Sequence, residues 1–268
     1  MKIILAVFVS LMFIFPASTD ASVIHLHLKE GEFALSFLPL SNGEAALLHT
    51  AEGRQFLINT GYKGSGPEIL HYMNKFQIRQ LDGLIITEKK YWQERFIQQL
   101  IKTRKLKKIF AGWPAKDHLC GGRFIYEQWL AGTLQELDSG VKLAVLYNGS
   151  QKNEGLDFSI KHFDSRFLWM SSASRSAEKK MLTQSLKDSN IVKVPKFGVH
   201  GSLSYNLLTH IDPQTAIIFK RKDQRPNGEL MEMLHQMWID VYYAEQHGLI
   251  IVKFTKEGYE VFSIPELK

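Results

Sequence analysis

The chain has 268 residues, 45% of them hydrophobic, a formal net charge of +6 and a single cysteine. This length and apolar share suffice for one large buried core, and the lone Cys120 excludes an intramolecular disulfide framework. No internal repeat, low-complexity tract or long Gly/Ser/Pro linker occurs, which excludes solenoid and linker-joined layouts.

Met1 to about Ala21 reads as a secretory signal peptide. Lys2 is a short basic start, Ile3 to Phe15 is apolar with one Ser, Pro16 breaks the run, and Ala17-Ser18-Thr19-Asp20-Ala21 offers small residues for cleavage. The apolar run is shorter than the ~20 residues of a bilayer span. Residues 22–268 are then one exported domain, secreted or retained in the cell envelope. An uncleaved leader would make the chain membrane-anchored instead. Cys120 lies far from the leader, so no lipidation motif is present.

Strands are expected at Phe33 to Leu40, Ala45 to Thr50 and Gln55 to Thr60, the last two joined by a turn at Ala51-Glu52-Gly53-Arg54. Pro67 suits the first turn of a helix to about Phe76, with Ile69, Leu70 and Met73 on one face. Leu84 to Thr87 reads as a buried strand, Tyr91 to Thr103 as a helix and Lys107 to Ala111 as a short strand. Further strands are expected at Val141 to Tyr147, Asp157 to His162, Arg166 to Met170, Asn190 to Val194, Thr215 to Phe219 and Ile239 to Ala244. Helices are expected at Ser176 to Leu186, with Ser174 or Ser176 as cap, at Ser204 to Ile211 and at Gly228 to Met237. A hairpin around Glu257-Gly258 closes the chain. Two mixed sheets with helices outside satisfy this order, as do several other α/β layouts.

Charge supplies the hint of a partner. Lys102-Thr103-Arg104-Lys105-Leu106-Lys107-Lys108 is the densest basic run and Lys220-Arg221-Lys222 a second. Arg104, Lys105, Lys107 and Lys108 are candidate contacts for a polyanion, either nucleic acid or an anionic wall polymer. The bland reading is a solvated helix end. The aromatic interleaving of a single-strand groove is absent from both runs.

Several segments resemble the metallo-β-lactamase superfamily, most of all its ComEC-like branch, the soluble domain of competence DNA-uptake proteins. Phe37-Leu38-Pro39-Leu40-Ser41-Asn42-Gly43-Glu44-Ala45 is similar to F-L-D-V-G-Q-G-D-A, and Phe56-Leu57-Ile58-Asn59-Thr60-Gly61 to I-L-I-D-T-G. Leu81-Asp82-Gly83-Leu84-Ile85-Ile86-Thr87 matches the strand that precedes T-H-x-H-x-D-H. Phe167 to Ser172 resembles F-L-L-T-G-D, Val192 to Gly198 resembles L-K-V-P-H-H-G, and Arg225-Pro226 resembles H-P. The resemblance implies a four-layer αββα sandwich of two mixed sheets. It also implies a dinuclear metal site, yet Asn59, Glu88, Lys90, Trp92, Gln93, Ser172, Lys196, Phe197 and Arg225 stand where that site's motifs would be.

Ammonium groups offer no lone pair, aromatic rings do not ligate, and one carboxylate, Glu88, cannot hold a catalytic metal pair. The resemblance therefore implies a pseudoenzyme that needs no cofactor and acts by binding, with Lys90 and Lys196 replacing the metals as the positive element for a phosphate or other anion. Against this stands a cleft in which Lys90 pairs with Glu88 and Trp92 and Phe197 fill the space. The other functional class is an exported metal-dependent phosphodiesterase or nuclease with a relocated site using Glu88, His200 and either His162 or Asp164. His25 and His27 share a strand face. No G-x-S-x-G elbow supports a serine hydrolase.

Overall fold

The computed structural model describes residues 23–114 and 124–265. The leader, its cleavage region, His118 and Cys120 lie outside the described residues.

Alternation of apolar side chains builds two sheets that share one core. The first sheet has the order β15-β14-β1-β2-β3-β4-β5-β6 and the second β13-β12-β11-β10-β9-β8-β7. In the first lie β1 (Phe33–Phe37), β2 (Ala46–Thr50), β3 (Gln55–Ile58), β4 (Gly83–Ile86), β5 (Lys108–Ala111), β6 (Ile125–Gln128), β14 (Leu249–Thr255) and β15 (Gly258–Ile264). In the second lie β7 (Leu134–Asp138), β8 (Val141–Asn148), β9 (Leu156–His162), β10 (Ser165–Trp169), β11 (Ile191–Lys193), β12 (Thr215–Ile218) and β13 (Asp240–Tyr243). Both are mixed. β3, β4, β5 and β6 run parallel, as do β10, β11, β12 and β13.

The period of two sorts each strand between layers. Phe33, Leu35 and Phe37 of β1 face the inter-sheet core, together with Phe167 and Trp169 of β10 and Ile250, Val252 and Phe254 of β14. Leu168, Val192, Ala216 and Ile218 face the other side of the second sheet, where α3 (Arg175–Leu182), α4 (Tyr205–Ile211) and α5 (Gly228–Gln236) cover them with Met181, Leu208 and Leu234. On the outer face of the first sheet, α1 (Gly66–Lys75) and α2 (Glu94–Arg104) bring Ile69, Met73, Ile97 and Leu100 onto Leu57 and Leu84. The result is the expected four-layer αββα sandwich. Each fully buried large apolar side chain stabilises it by about 1.5–3 kcal/mol.

Local signals set most boundaries. Pro67 opens α1, Ser174 Oγ accepts the Ala177 amide at 3.1 Å to cap α3, and Ser204 Oγ does the same for Leu207 in α4. Gly53 takes φ +81 in the β2–β3 turn.

Two expectations need correction, and three elements were not anticipated. The helix after β4 starts at Glu94 rather than Tyr91, because Lys89–Tyr91 form a separate 3-10 turn and Trp92 is extended. Helix α3 ends at Leu182 rather than Leu186. Strands β6 and β7 were not expected: as edge strands they bury too little to show a clear alternation. The short α6 (Ala244–His247) occupies the connection before β14.

Candidate functional site

The parallel strands β3, β4, β10, β11 and β12 release their chains at one end of the sandwich, the usual place for a ligand in such sheets. Asn59 leaves β3 at φ +60 and is locked to the loop after β4. Its Nδ2 donates to Thr87 Oγ1 at 3.0 Å, and its Oδ1 accepts the Thr87 amide at 2.9 Å. Both polar ends of this buried amide are thus used inside the scaffold. Ser172, after β10, accepts the Gly155 amide at 3.0 Å. Gly155 admits no side chain: a Cβ there would lie 2.6 Å from the Thr87 carbonyl oxygen and 2.7 Å from Glu88 Cγ. The loop after β4 is therefore pressed against the start of β9.

Glu88 is the hub of this end. Its Oε1 lies 3.0 Å from Lys90 Nζ and its Oε2 2.5 Å from Lys196 Nζ. The side chains of Glu88 and Lys196 are 10% and 11% exposed, that of Lys90 32%. Lys90 Nζ also lies 4.9 Å from the ring centre of Tyr91, 5.7 Å from that of Phe197 and 6.0 Å from that of Tyr62. Burial works against the Lys90 charge, but the carboxylates of Glu88 and Glu44 outweigh it and hold its pKa above the ordinary value. Burial wins at Lys196, whose pKa is lowered although Glu88 opposes this. Lys196 and Phe197 have φ of +51 and +61 and are followed by Gly198 at +71. This run of left-handed backbone turns the chain sharply after β11, at a cost of order 1–3 kcal/mol for each non-glycine residue.

Beneath this hub lies a second pair. Lys193 Nζ meets Glu44 Oε2 at 2.6 Å, both side chains fully buried, and donates to the Met170 carbonyl at 3.1 Å. The Trp169 ring centre is 5.0 Å away. Asp157, also buried, accepts the amides of Ser171 and Ser172 on Oδ1, the latter at 2.8 Å. Burial pushes its pKa up to about 6, against those hydrogen bonds and Lys193. None of Lys193, Glu44, Asp157, Tyr62 and Tyr91 was expected in the site, although Glu44 and Lys193 stand inside matched segments. A lysine inside the apolar run Ile191-Val192-Lys193-Val194 was the available signal for a buried charge.

The structure brings together Asn59, Glu88, Lys90, Ser172, Lys196 and Phe197. It gives the other expected site residues different surroundings. The ring partners of Trp92 are Trp113 and Tyr126, at 6.5 and 6.3 Å, and its Nε1 donates to Glu94. Trp92 is thus no plug; Tyr62, Tyr91 and Phe197 wall the cluster. Gln93 reaches back to the Lys90 carbonyl at 3.4 Å. Arg225 is exposed and lines a groove of about 840 Å³ with Lys220, Tyr243 and Glu245. Arg221 of the second basic run stands 5.7 Å from the Phe197 ring centre.

The first basic run is less positive than its sequence suggests. Lys107 pairs with Asp82 and Lys108 with Glu127, both at 2.9 Å, while Arg104 donates to Asn74 at 2.6 Å. Lys105 is exposed at the end of α2.

The relocated metal set is not assembled. His200 is 81% exposed and pairs with Glu229 at 3.2 Å. His162 closes the far end of β9, seven residues or ~23 Å at 3.3 Å per residue from Gly155, which packs against Glu88. Asp164 lies just beyond it, in the β9–β10 turn. Among the described residues no three His, Cys, Asp or Glu side chains converge to hold a metal ion. Glu88 already shares its oxygens between two ammonium groups, and Asn59 and Ser172 are bonded within the scaffold. These residues do not fit a metal pair.

No family model matches the chain, and no curated protein matches its sequence. Solved structures do match its fold. The metallo-β-lactamase fold protein YhfI from Bacillus subtilis superposes with a TM-score of 0.59 at 8% identity, covering 80% of this chain and 96% of YhfI. A diphosphatase from the PhnP family gives 0.56 at 11% identity, covering 87% of this chain and 99% of that one. CmlA, a diiron β-hydroxylase from Streptomyces venezuelae, gives 0.55 at 8% identity; 87% of this chain aligns with 54% of CmlA, so this chain spans about half its length. The chain has the metallo-β-lactamase fold, and at these identities the likeness carries the fold alone. No helix among the described residues is long and apolar enough to cross a membrane.

Proposed function

We propose that this chain is an exported, ComEC-like member of the metallo-β-lactamase fold that acts by binding an anionic, phosphate-bearing ligand rather than by metal-dependent hydrolysis. One observation carries the reading: at the end of the sandwich Lys90 and Lys196 share the single carboxylate of Glu88. Two ammonium groups against one carboxylate leave one positive charge over. It faces solvent at Lys90, the more exposed of the two, between the rings of Tyr62 and Phe197. Arg221 across the Phe197 ring adds to the same rim. An anion entering there meets fixed donors without a bound metal.

The branch assignment rests on the order of matched segments, Leu81 to Thr87 above all. Export rests on the leader-like residues 1–21.

The test uses chain purified without a histidine tag and treated with EDTA. Inorganic pyrophosphate should bind saturably at low salt. Lys90→Met should weaken binding by about tenfold, the equivalent of one charge-assisted hydrogen bond, and thermal unfolding should be the same with EDTA or added zinc. Tightly held stoichiometric zinc or manganese, with phosphodiester hydrolysis lost on Glu88→Gln, would reverse the reading. So would an absence of pyrophosphate binding.

A further inference from the structure

Helices α3, α4 and α5 cover the outer face of the second sheet over β10 to β13, and over β8 they reach only Leu146 and Tyr147. Towards the β7–β8 and β9–β10 turns this face is open. A depression of about 460 Å³ lies on it, within the ~300–1,000 Å³ usual for small-ligand sites.

The strand register sets three cations in one row across this depression. Lys142 of β8 stands directly opposite Lys161 of β9, and Lys161 directly opposite Arg166 of β10. Like charges directly opposite one another destabilise a sheet. The row is only partly neutralised. Asp188 lies 3.0 Å from both Lys161 and Arg166, and Arg166 also donates to the Ser185 carbonyl at 2.7 Å. Lys142 faces Glu136 across β7, yet among the described residues no side chain pairs with it. Lys142 is exposed and the Lys161 side chain half exposed, so a solute can reach both ammonium groups.

The next row on the same face is apolar, with Leu134 of β7 opposite Ala144 of β8. Leu134 is 79% exposed, and beyond the other side of the cationic row the Phe163 ring is 52% exposed. Both line the depression. Two residues along a strand separate the rows by about 7 Å, so one solute can touch both.

A charged head on one row and an apolar body on the next describe one ligand chemistry. We propose that this depression binds a single-chain anionic amphiphile, with its carboxylate on Lys142 and Lys161 and its hydrocarbon chain on Leu134 and Ala144. A bare anion would leave both apolar side chains in water. An anionic bilayer is the poorer partner, because the exposed carboxylates of Glu30, Glu52 and Glu257 share a cleft with Phe163 and would be pressed against it. The depression lies on a sheet face, whereas Lys90 and Lys196 sit beyond the strand ends, so the two sites are independent.

Calorimetric titration with decanoate, kept below the concentration at which it forms micelles, tests this, with acetate as the head group alone. Decanoate should bind saturably, one per chain, and acetate more weakly by about tenfold or more. Lys142→Gln and Lys161→Gln should each weaken decanoate binding by about tenfold, and Leu134→Ser by about fivefold. Lys102→Gln, on α2 outside the other sheet, should not change it. Lys142 and Leu134 are exposed, so their variants carry the test if Lys161→Gln, which unpairs Asp188, does not fold. Saturating pyrophosphate, the probe of the Lys90 site, should leave decanoate bound. The proposal is overturned if decanoate does not bind, even where phosphatidylglycerol vesicles do, or if acetate binds as tightly. It also fails if Lys142→Gln or Leu134→Ser binds decanoate as the natural chain does, or if pyrophosphate displaces it.

Discussion

Replacing Asp157 by Asn should expose a pH dependence that the natural chain conceals. Two buried groups are shifted in opposite senses. Burial raises the Asp157 carboxyl from 3.8 to about 6, and burial lowers the His49 imidazole, tilted against Phe76 with ring centres 4.6 Å apart and bonded to Ser36 at 3.1 Å, from 6.5 to about 4. Consider Asp157 alone. Between pH ~4 and ~6 the unfolded chain has released this proton and the folded chain has kept it, so stability falls as pH rises, by about 3 kcal/mol over the window. For His49 the folded form stays neutral while the unfolded chain takes up a proton below pH ~6.5. Its contribution is fully present above that pH and is lost as pH falls towards ~4, again by about 3 kcal/mol.

These two slopes nearly cancel. Urea unfolding at intervals from pH 4 to 7 would separate them, since subtracting a variant from the natural chain removes every group they share. The advantage of the natural chain over Asp157→Asn should grow by about 3 kcal/mol from pH 6.5 down to 4. Its advantage over His49→Gln should shrink by a similar amount. A difference from Asp157→Asn that stays level over that range would refute the account, because Asp157 would then titrate alike in both states.

Two further predictions concern the same end of the sandwich. Lys193→Met should cost about 3–5 kcal/mol by stranding the Glu44 carboxylate, and adding Glu44→Leu should recover most of it; denaturant midpoints of the two single variants and the double variant measure this, and additive losses would mean that the pair is not coupled. Gly155→Ala should lower stability by at least about 2 kcal/mol, since the clash is with the Thr87 main chain and cannot be relieved by a rotamer change; an unchanged melting temperature would contradict the close approach of β9 to the loop after β4.

The layers were legible because alternation is a local property. Phe33-Ala34-Leu35 and Phe167-Leu168-Trp169 announce which side each residue faces, whatever the rest of the chain does. Glu88, Lys90 and Lys196 were legible as members of one cluster only through the resemblance, since 108 residues separate Glu88 from Lys196. The pairing of Lys193 with Glu44, 149 residues apart, escaped because a buried ion pair leaves no periodic trace in either segment. Trp92 misled for a geometric reason. Its motif position suggested the cleft, but the 3-10 turn before it and the extended backbone at Trp92 give it Trp113 and Tyr126 as neighbours. The basic run at 102–108 misled because its counter-ions, Asp82 and Glu127, lie on other segments.

Lys90 and Lys196 differ in how firmly they hold their charge. Lys90 has its pKa raised, chiefly by Glu88 and Glu44 acting against burial, whereas Lys196 has its pKa lowered because burial dominates. As pH rises, Lys196 loses its proton first. Glu88 and Lys90 then remain as a neutral pair, and the surplus positive charge that the proposed anion binding requires is gone. A cleft held by metal ions would lose its charge by dissociation of the ion. This one loses it by deprotonation of a single residue that stays in place, so the loss is reversible and independent of metal supply. That distinction follows from two ammonium groups sharing one carboxylate in unequal surroundings.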